Sequence, residues 1–164
     1  MPVEPLQNLL AIAEIRRLKA RYCRLVDTKQ WDRLKQVFAP DATVAGFASV
    51  PDGTTAEAFV AGIARTLAPA VSLHHVHEPE IVVTGPDAAR AVWPMMDYVD
   101  FGDTATGPAG RGWIGWGFYE EAYARIDGAW RIAFMRLARQ RMNPLAADHP
   151  PAAPGRVAPD PDWL

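Results

Sequence analysis

Five side chains of this chain, Tyr22, Asp27, His74, Asp97 and Arg139, are of the types that acid-base chemistry on a carbonyl compound requires. An imidazole moves protons near neutral pH. A phenol can donate to an oxygen on which negative charge develops, and a carboxylate beside the imidazole fixes its tautomer and stabilises its cation. Three of the five interrupt or adjoin stretches that otherwise read as apolar core, and an ionisable group there is costly unless it is paired.

In the stretch from Ala88 to Phe101, an alternation of two puts Trp93, Met95, Asp97, Val99 and Phe101 on one side of a predicted strand. A carboxylate thus stands among large apolar groups, either paired structurally at a strand edge or held there for chemistry. In the last predicted strand Ala133, Met135, Leu137, Arg139 and Arg141 share a face. An arginine there serves as an anion clamp or as the countercharge of a buried aspartate, and Arg136 and Arg141 compete with Arg139 for that partner. In the run His74-His75-Val76-His77, alternation sends His75 and His77 away from His74. With Glu80 or Glu120 those two make only an unspecific metal set, and no metal is expected. His74 and Asp97 are the expected proton-shuttling pair. Tyr22, on the apolar side of the first predicted helix, is either a packed core tyrosine or an oxyanion donor. Asp27 follows five residues later, about 140° round an ideal helix, so both reach one cavity only if the helix ends or bends near Val26. The other role open to Asp27 is that of a helix cap.

The elements that must position these groups are legible in outline. From Pro5 to Val26 apolar residues keep three- and four-residue spacing, which predicts an amphipathic helix. A short second helix is expected from Trp31 to Phe38, with Asp27 and Thr28 as candidate caps, and then a strand from Asp41 to Ala48. Thr54 and Glu57 have capping-box spacing and open a third helix through Leu67, which Pro69 prevents from continuing. Strands follow: His74 to Val83, Ala88 to Phe101, Trp113 to Ile126 and Ala129 to Met142. Gly85-Pro86-Asp87, a glycine-rich loop from Gly102 to Gly112, and Asp127-Gly128 separate them. Helices first and an antiparallel meander afterwards predict an α+β architecture, the helices packed on one face of a bent sheet. A proline-rich tail from Asn143 to Leu164 is expected to lie outside the domain of residues 5–142.

Composition narrows the function. A chain of 164 residues with 49% hydrophobic and 22% charged content suits one compact domain. Its net charge of −2 and absence of basic runs argue against nucleic acid and anionic membranes as partners. No stretch approaches the roughly 18 apolar residues of a membrane span, so a soluble protein is expected. Cys23 is the only cysteine, which rules out an intrachain disulfide and a thiolate metal cage within one subunit and fits a cytoplasmic setting.

The segments AIAEIRRLKARYCRLVDTKQWDRLKQVFAPD (11–41), LHHVHEPEI (73–81) and YARIDGAWRI (123–132) resemble the SnoaL-like branch of the NTF2-like superfamily. Within that branch the chain resembles the bile acid 7-alpha-dehydratases and, more distantly, the scytalone dehydratases. The resemblance implies a cone of three helices and a strongly curved, mainly antiparallel sheet around a hydrophobic pocket, usually in a homo-oligomer, here a dimer or trimer. Carried over residue by residue, it places the dehydratase site on Tyr22, Asp27, His74, Asp97 and Arg139. The chain departs from the pattern at Pro94, Met95 and Met96, before Asp97, and in the loop bearing Asp103 and Arg111. A steroid thioester substrate is therefore not implied. The expected function is a cofactor-independent lyase dehydrating a hydrophobic, polycyclic or aromatic β-hydroxy carbonyl compound, with Trp93, Met95, Val99, Phe118 and Met135 lining the substrate pocket. An isomerase or polyketide cyclase using the same residues, and a binding module without chemistry, are the alternatives.

Overall fold

The computed structural model describes residues 4–102, 110–146, 148–150, 160 and 163. Most of the expected tail and the middle of the glycine-rich loop, Asp103 included, lie outside them. Helix α1 (Pro5–Asp27) starts where the Glu4 carboxylate accepts from the amides of Leu6 and Gln7 and Pro5 occupies the first turn. It buries the stripe Ala11, Ile15, Leu18, Tyr22, Cys23, Leu25 and Val26 and packs on β3 (Val71–Val76), β4 (Glu80–Gly85) and β7 (Ala129–Pro144). None of the described helices is long and apolar enough to cross a membrane.

Helix α2 is shorter than expected, Trp31–Lys35, and its N-cap is Gln30 rather than Asp27 or Thr28. Strand β1 (Phe38–Ala45) takes up what α2 loses, because Phe38 pairs in parallel with Ile132 and the Ile132 amide donates to Val37 O. Helix α3 (Ala56–Leu67) is capped by Thr55, whose hydroxyl accepts from the Ala58 amide. The cap lies one residue beyond the expected Thr54, since Thr54 and Thr55 form the two-residue strand β2, paired with β1.

The expected strand from His74 to Val83 is two strands, broken before Pro79, which has no N–H to give a ladder. Strands β3 and β4 both pair with the same long partner, β5 (Ala88–Asp100), end to end along one of its edges. Strand β6 (Gly112–Ile126) turns into β7 through Asp127 and Gly128, with φ of 50° and 79°, as a two-residue primed turn requires. The sheet has seven strands in the order β2-β1-β7-β6-β5-β3, with β4 beside β5 and β1 parallel to β7. It is the expected α+β fold with a mixed, mainly antiparallel curved sheet. The core, including Ile15, Leu34, Val44, Phe59, Ile132 and Met135, lies between the helices and the sheet's inner face.

Candidate functional site

A cavity of about 460 Å³ opens between α1, α3 and the sheet. Its apolar walls are Val26, Phe47, Phe59, Ile63, Leu67, Trp113, Leu137 and Met142, and its polar groups are Tyr22, Ser49, Thr66, His74, Asp97, Tyr119 and Arg139. Four of the five predicted catalytic residues therefore line one space. The fifth, Asp27, stands behind His74.

The sequence pointed to Asp97 as the partner of His74, and the geometry corrects this. His74 Nδ1 is 2.6 Å from Asp27 Oδ1, and the His74 amide donates to Asp27 Oδ2 at 2.7 Å. Ser72 Oγ adds a hydrogen bond to Oδ1 at 3.0 Å and itself accepts from Lys29 Nζ at 2.7 Å. The reason lies in α1, which stays helical through Asp27, so the 140° step from Tyr22 carries the carboxylate sideways onto β3 instead of into the cavity. With Nδ1 engaged, Nε2 is the nitrogen left for a ligand, because His74 lines the cavity.

Asp97 is opposite His74 in the β3–β5 register, but its carboxylate goes to Arg139. Both guanidinium nitrogens donate to it, Nη1 to Oδ1 and Nη2 to Oδ2, each at 2.7 Å, a bidentate fork that fixes both side chains. Asp97 is 4% exposed. Burial works against the Arg139 charge, but the bonds and charge of Asp97 outweigh it and raise the guanidinium pKa. Arg136 pairs instead with Glu120, and Arg141 donates to Asn143, so Arg139 is the countercharge among the three candidates. Sequence reasoning missed what makes room for the fork. Gly115 faces Asp97 across the β5–β6 pair, and a Cβ there would lie 2.0 Å from Arg139 Nη1 and 2.3 Å from Asp97 Oδ1.

Tyr22 is 2% exposed and meets Tyr119 edge to face at 6.2 Å between ring centres. Burial first, then Cys23 and Glu121, push the Tyr22 phenol well above its ordinary value, and burial does the same to Tyr119. Both are therefore proton donors at neutral pH. Tyr119 among the polar groups and Trp113 in the apolar wall were not singled out by sequence reasoning. The buried Trp113 Nε1 has no hydrogen-bond partner among the described residues. An aromatic residue in strand alternation gives no signal that separates it from core.

The expected substrate-lining set is not brought to the cavity. Trp93, Met95, Val99 and Met135 are buried in the core and do not line it, and Phe118, 39% exposed, lies on the outer face of β6. Alternation identified the inward face correctly for the first four, but an inward position on this sheet is covered by core packing at most places and opens on the cavity at only a few. His75 and His77 are exposed, and no group of metal-ligating side chains occurs among the described residues.

Residues 7–136 match the family described as SnoaL-like domain. A relative from Gibberella zeae named "Probable cyclase FGR4" is 26% identical over 141 residues, covering 79% of this chain and 91% of the relative. Among solved structures, a hexachlorocyclohexane dehydrochlorinase (LinA, type 2) superposes with a TM-score of 0.77 at 19% identity, over 93% of this chain and 100% of that one. A protein from Novosphingobium aromaticivorans, provisionally named a scytalone dehydratase, does so with a TM-score of 0.72 at 18% identity, over 94% and 99%. These two likenesses establish the shared fold.

Proposed function

The chain belongs to the SnoaL-like domain family, and from that premise we propose that it is a small-molecule-converting enzyme: a cofactor-independent lyase that dehydrates a hydrophobic, polycyclic or aromatic β-hydroxy carbonyl compound. The observation that carries this reading is the His74–Asp27 dyad at the edge of an apolar cavity. An imidazole whose Nδ1 is held by a carboxylate is oriented, has a fixed tautomer, and gains a countercharge when it takes up a proton. His74 Nε2 removes the proton α to the carbonyl, and the electron pair moves onto the carbonyl oxygen. Tyr22 and Tyr119 supply phenol donors to that oxyanion, each worth about 3 kcal/mol if aimed well. The enolate then re-forms the carbonyl as the β-hydroxyl leaves, and the imidazolium gives the same proton to it, so water departs and the base is restored. Arg139, neutralised by Asp97, holds the cavity wall as a rigid dipole.

The cyclase relative favours a second reading in which the same dyad forms the enolate and an intramolecular carbonyl, instead of a leaving hydroxyl, receives it. Product mass separates the two when hydroxy-ketones and linear polyketones are supplied to the purified protein: dehydration loses 18 Da, whereas closure alone leaves the mass unchanged. In either case His74→Gln should lower kcat by about 10² to 10⁴. An unaltered rate in that variant would refute acid-base catalysis by this residue.

A further inference from the structure

Behind the cavity wall lies a second charged cluster for which the acid-base steps have no task. Lys19 is fully buried, and its ammonium lies 2.5 Å from Glu121 Oε1. The other oxygen of Glu121 accepts from the Tyr123 hydroxyl, whose oxygen accepts from Trp93 Nε1 at 2.8 Å. The same ammonium lies 3.5 Å from the centre of the Tyr119 ring and 4.3 Å from that of Tyr22. Both rings line the cavity, while Lys19 does not. A buried ion pair is a poor device for stability, since well-packed apolar replacements are often neutral or stabilising. Its contact with two cavity phenols offers another reason for it.

We propose that Lys19 is a positioning residue: its ammonium, held by Glu121, clamps the Tyr22 and Tyr119 rings and draws electron density from the phenols toward the ring faces, so that both hydroxyls donate more strongly to an oxyanion in the cavity. The inference rests on the reading of the cavity as an acid-base site. A cation against the face of a phenol is attracted by the ring quadrupole, more so in a dry interior. It also stabilises the negative charge that a phenol takes on as it donates, opposing the effect of Glu121, which acts against charge on Tyr22. Lys19 precedes Tyr22 by three residues on α1, so the clamp and one of its targets move as one helical turn.

Two probes of one shape test this without any turnover: an acidic 2-naphthol bound as its anion, and neutral 2-methoxynaphthalene. Lys19→Met/Glu121→Gln removes both charges and leaves Tyr123 an acceptor. It should weaken naphtholate binding about tenfold while leaving the neutral probe unchanged, and should have no such effect when Tyr22 and Tyr119 are already phenylalanine. Should the double variant not fold, Lys19→Gln/Glu121→Gln removes both charges while keeping a hydrogen bond between the two positions, and is expected to give the same selective loss. Equal weakening of both probes, an unchanged preference, a loss that persists without the two phenols, or a wild-type cavity that takes up neither probe would each overturn the proposal. Because the readout is binding, failure of the lyase reading registers separately, as missing turnover with the naphtholate preference intact.

Discussion

Asp27 sits at an electrostatically unfavourable end of its helix. A carboxylate in the last turn of α1 opposes the partial negative charge of the helix C-terminus, at a cost of about 0.3–1 kcal/mol. The three hydrogen bonds it receives from Ser72 and His74 compensate for that placement. If the pair acts as a unit, Asp27→Asn and His74→Gln should each cut kcat by about 10²-fold or more, and the double variant should be no slower than the worse single one. Additive losses in single-turnover measurements would mean that the two residues act independently. Residue type and spacing single out Tyr22, Asp27, His74 and Asp97 as candidates and the family resemblance adds Arg139 over Arg136 and Arg141, but neither gives their pairing. His74 and Asp97 are register neighbours, and only the competing forks from Arg139 and toward β3 decide which carboxylate the imidazole receives. Partner choice among three charges within reach is a tertiary matter that alternation along one strand does not encode.

At the level of elements, β6 contributes an absence. Gly115 leaves a lane across the strand through which the Arg139 guanidinium reaches Asp97. Gly115→Ala should displace that fork and leave a buried carboxylate poorly paired, lowering stability by about 3 kcal/mol. Combined with Arg139→Met it should cost little more than either change alone, which thermal or urea unfolding of the four proteins would check. The last residue of β5, three beyond Asp97, is held differently. Burial pushes the Asp100 carboxyl up, but the Gly102 amide, Arg111 and the Tyr98 hydroxyl outweigh it and hold its pKa below the ordinary value. A carboxyl depressed on folding stabilises above its unfolded pKa of about 3.9 and loses that contribution as pH falls through the folded value. The gap in melting temperature between wild type and Asp100→Asn should therefore be widest above about pH 5 and close toward pH 2. These ties explain what local pattern could and could not reveal. The long periodic α1, α3 and the Asp127-Gly128 hairpin are specified by neighbours in sequence, and the structure contains them nearly as expected. The end of α2 and the start of β1 depend on pairing with β7, far along the chain, whereas the division into β3 and β4 turns on Pro79, a local signal inside a run that otherwise reads as one strand.

For the molecule as a whole, the decisive question is whether the cavity is a reaction vessel or merely a receptor, and the fold alone serves both uses. Its volume of about 460 Å³ is within the range of small-molecule sites, and α3 supplies the wall on which the two uses can be separated. Ile63 and Phe59 project from that helix to the cavity, on a different element from either member of the dyad. Ile63→Trp would grow into open space, so its overpacking cost should stay within about 1–3 kcal/mol, while the space available to a fused-ring ligand shrinks. A neutral aromatic ligand at about 100 times its Kd should stabilise the wild type by about 2.7 kcal/mol. Thermal shift should show less than half of that for Ile63→Trp and the full amount for His74→Gln. An enzyme loses turnover in both variants but ligand binding in only one. A receptor keeps its role in His74→Gln altogether. If ligand-induced stabilisation survives Ile63→Trp undiminished, the substrate lies elsewhere, and the assignment of this cavity to the function fails along with the chemistry placed in it.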